Sequence, residues 1–223
     1  MSSTPDPATP AGTSARSERD AAAPTVEIPV PTGEVRLLSA VQRRLLRVPG
    51  SREAAVVLSH VGEHALGWMA VAGAGMVLDP ARRGRWAMVG VGTFGAHATS
   101  VAVKRVVRRR RPAHPSVTVG VKTPSTLSFP SSHATSTTAF ALLAGSVTGV
   151  PVAAGLVPVM LASRLVLGVH YPSDVLAGAT VGAGCAALTR AVWPTVAVQR
   201  LLPEALREAE PAAGSTEDPE EKR

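Results

Sequence analysis

The sequence predicts an all-α protein: an integral-membrane helical bundle of about five spans, preceded by an amphipathic helix. Three observations carry that reading. Five apolar segments, near 59–78, 86–107, 133–148, 151–168 and 172–193, are parted by charge or proline, and each has about the length needed to cross a ~30 Å hydrocarbon core as a helix. Their Gly and Ala content suits close helix packing in lipid. The charge is uneven: residues 1–33 carry a net −2 and residues 204–223 a net −4, so 34–203 hold +13 within a total of +7. A mean hydropathy of only +0.18 keeps a soluble bundle as the competing reading.

The ends are Pro-, Ala-, Ser- and acid-rich and lack a signal-peptide core, so 1–33 and 204–223 are expected to be disordered tails around one membrane-embedded domain, 34–203. Cys185 is the single cysteine, which excludes an internal disulfide and reads as a packing residue. In "EVRLLSAVQRRLLRV", Leu37, Val41, Leu45 and Val48 recur at helical spacing between arginines. That pattern fits a helix on a membrane surface, or a surface helix packed on the bundle.

The first span contains "HVGEH". His60, Glu63 and His64 match the H-x-x-E-H order of inverted zinc proteases, but no downstream acidic ligand lies in a plausible helix. Polar residues at headgroup level, able to touch a substrate, are the better reading. His97 reads as a packed or hydrogen-bonded helix residue, although an ionisable group inside the second span invites a functional question.

The second span leaves the apolar layer through "KRVVRRRRP". Lys104, Arg108 and Arg111 fall at i, i+4 and i+7, one face of a helix expected to continue to Pro112. A stop-transfer cluster explains the run equally well. No aromatics interleave with the cations, so nucleic acid is not an expected partner. Arg105, Arg109 and Arg110 read as contacts to lipid headgroups or a second phosphate, or as topology determinants. His114 reads as loop surface.

The third span opens at "SFPSSHATS", where Ser131 and Ser132 are good N-caps and His133 begins the helix. The fourth ends near Ser163 and Arg164. The fifth opens with "HYPSD", Pro172 at its first position and Asp174 in its first turn, near enough to reach the His170 ring. Asp174 is the sole carboxylate between positions 80 and 203, which marks it for a specific task or a buried ion pair. With spans of alternating direction these clusters meet at one membrane face. There Lys104, Arg111, Arg164, His133, His170 and Asp174 line one pocket whose consistent ligand is an oxyanion of two or more charges.

The patterns K-x6-R-P (Lys104 to Pro112), P-S-x-H (Pro130 to His133) and S-R-x5-H-x3-D (Ser163 to Asp174) resemble the type 2 phosphatidic acid phosphatase (PAP2) superfamily, which also contains vanadium haloperoxidases. The match runs over about 90 residues. Ser132 stands where the family most often has Gly, and five spans stand where many members have six. "GEHALGW", "GAHATSVAVKRVVRRRRP" and "TPSTLSFPSSHATSTTA" are similar to the small actinobacterial phosphatases assigned to decaprenylphosphoryl-phosphoribose dephosphorylation in arabinan precursor synthesis.

The resemblance implies a lipid phosphatase that needs neither metal nor cofactor. It implies His170 as a nucleophile forming a phosphohistidine, Asp174 fixing its tautomer, and His133 as general acid and then base. Lys104, Arg111 and Arg164, with Ser131 and Ser132, would bind the phosphate. Undecaprenyl diphosphate, phosphatidate and phosphatidylglycerophosphate are alternative substrates. A non-catalytic anionic-lipid binder is the alternative of another class, and the His170–Asp174 pair argues against it.

Orientation follows from charge. Thirteen cations fall on the pocket face, five of them before the first span, against five on the other face. The excess predicts a cytoplasmic pocket. Membrane lipids and the lipid phosphate are the expected partners, and oligomeric state is not legible.

Overall fold

The computed structural model describes residues 32–194, so residues 1–31 of the expected N-terminal tail, the expected C-terminal tail and the stretch 195–203 lie outside the described residues, while Thr32 and Gly33, expected in the tail, begin a helix. Seven α-helices account for most of the described chain: α1 (Gly33–Leu45), α2 (Ser51–Val61), α3 (Leu66–Leu78), α4 (Arg83–Val107), α5 (Ser132–Thr148), α6 (Val152–Val166) and α7 (Pro172–Val192). Among the described residues, one isolated antiparallel bridge, Arg110 with Leu127, is the extent of β pairing. The class is all-α, as the sequence predicts.

α5 is the centre of the bundle, packed by α3, α4, α6 and α7. Its sequence explains the position: Ala134, Ala139, Ala141 and Ala144 are small enough for neighbouring backbones to close in. Thr135 and Ser136 return their hydroxyls to the carbonyls of Ser131 and Ser132 at 2.9 and 3.0 Å, which lets those polar groups sit inside the bundle. α7 approaches closest. A Cβ on Gly182 would lie 2.3 Å from the Thr135 carbonyl oxygen, and one on Gly178 would lie 2.7 Å from that of Ser131. Toward the other end, Trp68 stacks on Phe140 with ring centroids 4.9 Å apart and donates Nε1–H to Thr137 Oγ1.

Three expectations are corrected. The first apolar segment is not one helix. α2 and α3 meet at a 51° bend, because His64 and Ala65 adopt left-handed conformations, φ 49° and 61°. Gly62 just before them abuts His133, where a Cβ would lie 2.7 Å from the imidazole Cδ2. The second helix stops four residues before the expected end. Arg108 turns left-handed at φ 54°, its N–H caps the Lys104 carbonyl, and the chain then pairs with residues 126–128.

For α1 only the reading of the stripe as packed on the bundle is corrected, because a different face is buried there. Val35, Leu38, Ser39 and Gln42 point inward, while Leu37 and Val48 are exposed. The Gln42 side chain decides this. It donates to the carbonyls of Thr118 and Val166 and accepts the Thr118 N–H, bonds that a Leu37–Val41 face could not form.

α7 is the one described helix that is by itself both long and apolar enough to cross a membrane. The α2–α3 pair qualifies if its bent halves are counted together.

Candidate active site

The N-terminal ends of α5 and α7 and the C-terminal ends of α4 and α6 meet around a cavity of about 480 Å³. Lys104, Arg111, Ser132, His133, Arg164 and His170 all line it. Asp174 stands behind His170, fully buried.

Local sequence sets each side chain. Lys104 is in the last turn of α4, and its Nζ donates to the carbonyls of Ser128 (3.0 Å) and Pro130 (2.6 Å), which pins the segment leading into α5. Arg111 reaches the cavity from the loop, not from the helix, because the turn at Arg108 redirects the chain. Its Nε donates to Ser125 O (2.8 Å) and its Nη1 to Val169 O (2.7 Å). Arg164 is held by the Ser59 hydroxyl at 3.1 Å and the Ala55 carbonyl at 3.3 Å.

The histidine tautomers follow from their partners. A guanidinium can only donate, so the 3.2 Å contact between Arg111 Nη1 and His170 Nε2 makes Nε2 a lone-pair acceptor. The ring proton is therefore on Nδ1, which lies 3.5 Å from Asp174 Oδ2, within ion-pair range but not closed into a hydrogen bond. Asp174 Oδ2 accepts the Tyr171 N–H at 2.8 Å, which fixes the carboxylate in the first turn of α7. Burial pushes the His170 imidazole down to about 3, with Asp174 opposing and the charges of Arg111 and Lys104 reinforcing. The ring is thus neutral near pH 7, with its Nε2 lone pair toward the cavity cations. Arg111 is itself lowered to about 10 by burial, against the pull of Asp174, and remains charged.

His133 is oriented in the opposite sense. Its Nε2 lies 2.9 Å from the Ser59 carbonyl, which can only accept, so Nε2 carries the proton and Nδ1 is the basic nitrogen.

Ser131 does not reach the cavity, contrary to its expected place among the phosphate ligands. It is fully buried and its Oγ caps α5 by accepting the Ala134 N–H, a need that arises at every helix start. Ser132 does line the cavity, its hydroxyl bonded to Ser100 at 2.8 Å.

Sequence reasoning missed Arg109. Its guanidinium donates to Asp174 Oδ1 (3.0 Å) and Ser173 Oγ (2.6 Å), lies 4.0 Å over the Tyr171 ring, and forms a close ion pair with Glu34 of α1. Burial alone would raise the Glu34 carboxyl, but hydrogen bonds from Ser173 and Arg109 leave it below its ordinary value. Arg109 is thus not a lipid-facing charge. Glu34 carried a signal, as one of few acids in the basic middle of the chain. Arg109 carried none, since its exit from the helix depends on the Arg108 turn. Among the described residues, no three His, Cys, Asp or Glu side chains are grouped to hold a metal ion, His60, Glu63 and His64 included.

The chain is similar to known proteins in sequence and in fold. The chain is 58% identical over 148 residues to the decaprenylphosphoryl-5-phosphoribose phosphatase of Mycolicibacterium smegmatis, covering 66% of this chain and 82% of that one. It is 52% identical over 162 residues to the enzyme of the same name from Mycobacterium tuberculosis, covering 73% and 92%. Its fold is similar to the crystal structure of a transmembrane PAP2-type phosphatidylglycerolphosphate phosphatase from Bacillus subtilis, with a TM-score of 0.57 at 22% identity over 72% of this chain and 86% of that one. The PAP2 superfamily model matches residues 85–197, which carry each of the cavity cations and both histidines described above, and the chain belongs to that superfamily.

Proposed function

We propose that this PAP2-family lipid phosphatase removes the 5-phosphate from a prenylphosphoryl-5-phosphoribose, the substrate named for its mycobacterial relatives. The observation that carries the chemistry is His170: an unprotonated Nε2 facing a cavity whose five lining cations include Lys104, Arg111 and Arg164, with Nδ1 on the side of a buried carboxylate. A phosphate monoester carries about −1.5 to −2 charges near neutrality, which Lys104, Arg111 and Arg164 balance.

His170 Nε2 attacks phosphorus as Arg111 shifts from the nitrogen to an equatorial oxygen. The phosphate monoanion brings the proton: His133 Nδ1 takes it from the phosphate as the ester binds and gives it to the departing ribose 5-oxygen as the P–O bond breaks. Water then attacks the phosphohistidine, His133 Nδ1 takes its proton, and phosphate leaves with His170 restored. The three guanidinium and ammonium groups stabilise the charge of both transition states, so the reading needs no metal.

Phosphate release by purified protein tests this. Farnesylphosphoryl-5-phosphoribose is expected to be hydrolysed in the presence of EDTA and the reaction to be inhibited by vanadate, whose trigonal bipyramid resembles the transition state. Turnover of phosphatidate or prenyl phosphates alone would remove the ribosyl substrate. Chelation that stops the reaction, with zinc or magnesium restoring it, would remove the metal-free mechanism.

The bundle is read as membrane-embedded with the pocket toward the cytoplasm. Only 22% of the most apolar window of α7 is buried within the protein, and Leu176, Leu188, Phe94 and Val77 are exposed, a surface suited to lipid. The cation excess at the pocket end supports the orientation. In a Cys185→Ser background, a cysteine introduced at Ser116 should resist an impermeant maleimide in sealed cells and react once the membrane is opened. Labelling in sealed cells would reverse the orientation.

A further inference from the structure

The cavity has a second wall that the phosphate chemistry leaves unused. It is formed where α2 gives way to α3, by Glu63 and His64, and by His97 of α4. Glu63 is the only carboxylate lining the cavity, and it makes no ion pair or side-chain hydrogen bond among the described residues. His97 Nδ1 is buried without a partner, and its ring lies 6.1 Å from that of His64. The backbone is held in an unfavourable conformation at this point, two successive non-glycine residues being left-handed. Such conformations persist where the surrounding structure imposes them, often at ligand sites.

A lone carboxylate in an anion pocket needs a reason. A phosphate dianion presents acceptors only, and a carboxylate accepts only, so Glu63 repels the reacting group unless donors stand between them. Hydroxyl groups are such donors, and carboxylates that accept from ribose hydroxyls occur in dinucleotide-binding sites. The location fits the chemistry as well. Gly62 abuts the Cδ2 edge of the His133 ring, away from Nδ1, and Glu63 and His64 line the same cavity as that ring, within the space the alcohol part of the ester must share. A cavity of about 480 Å³ falls in the ~300–1000 Å³ range of small-molecule sites, with room for a ring beside the phosphate.

The geometry points to Glu63, His64 and His97 as a subsite for the vicinal hydroxyls of a sugar ring bearing the scissile phosphate. This rests on the ribosyl substrate proposed above. A furanose substituted at positions 1 and 5 keeps its 2- and 3-hydroxyls free. Glu63 accepts from that diol, and His97 and His64 complete its hydrogen bonds. The subsite thereby selects a sugar phosphate over a plain prenyl phosphate.

The test compares kcat/KM for farnesylphosphoryl-5-phosphoribose with that for farnesyl phosphate, using the full-length protein in detergent micelles. Glu63→Gln, of nearly equal volume, is expected to lower the ratio of the two by about 10- to 100-fold, the scale of a hydrogen bond to a charged group. A second arm uses unaltered protein: the 2-deoxyribosyl analogue should lose a comparable factor, and that loss should shrink in Glu63→Gln because one contact is being removed twice. A ratio within twofold of the unaltered protein, together with additive losses, overturns the subsite while leaving the ribosyl substrate standing. No turnover of the ribosyl substrate by the unaltered protein overturns both.

Discussion

His170→Ala should lower turnover by at least about 10⁴-fold and abolish the phosphoenzyme, because alanine leaves no nitrogen to form the P–N bond. The tautomer analysis makes the expectation specific. His170 Nε2 is the nitrogen whose lone pair faces Arg111, whereas His133 Nε2 is committed to the Ser59 carbonyl. His133→Ala should therefore behave differently. Phosphorylation of His170 should survive with a good leaving group such as p-nitrophenol and slow sharply with the sugar alcohol, whose oxygen needs a proton as it departs. Because hydrolysis of the phosphohistidine also loses its base, the intermediate should accumulate. Acid-labile, base-stable labelling of the protein by a radioactive phosphate donor reads out both variants. Normal phosphate release by His170→Ala would end the mechanism.

The second large effect is expected at Arg109, a positioning residue. Asp174 is fully buried, and Arg109 supplies the charge at its Oδ1 while the Tyr171 N–H donates to Oδ2, which faces His170 Nδ1 at 3.5 Å. Removing one partner of a buried pair costs roughly 3–5 kcal/mol, and the low end applies because the Arg109 side chain keeps 28% of its exposure. Arg109→Ala should lower the thermal midpoint accordingly. It should also reduce kcat by about 10- to 100-fold with little change in KM, the scale seen when a partner that orients a reactive histidine is lost. Arg109→Lys, which keeps a charge but not the fork, should recover part of kcat. A purely structural role would lower the thermal midpoint and leave kcat per folded molecule unchanged. An unaltered kcat in Arg109→Ala would refute the assignment.

How much of this was legible follows from the range of the interactions involved. Helix starts were read well because their signals are local: Ser131 caps α5 and Pro172 opens α7 where the sequence places them. Convergence of the three basic and histidine clusters needed only helices of alternating direction. The end of α4 was not legible. Arg105, Arg108 and Arg109 have nearly equal helix propensity, and Pro112 four residues on offered a plausible stop that the Arg108 turn pre-empts. The bend at His64 was equally hidden, since left-handed backbone at a histidine and an alanine has no side-chain signature. The buried face of α1 depended on Gln42 meeting Thr118 and Val166, partners 76 and 124 residues away, which no periodicity can reveal.

Those separations also order events in time. Glu34 accepts the N–H of Ser173, 139 residues later, besides pairing with Arg109. A ribosome adding ~5–20 residues per second takes roughly 7–28 s to cover that interval. α1 is therefore the first of the described helices to be made and the last to acquire all its partners, waiting until α7 begins to emerge. Nascent chains arrested before Pro172 should leave α1 open to protease, and chains released beyond Asp174 should close it, so completion of the reactive centre and docking of the N-terminal helix are one event in biogenesis.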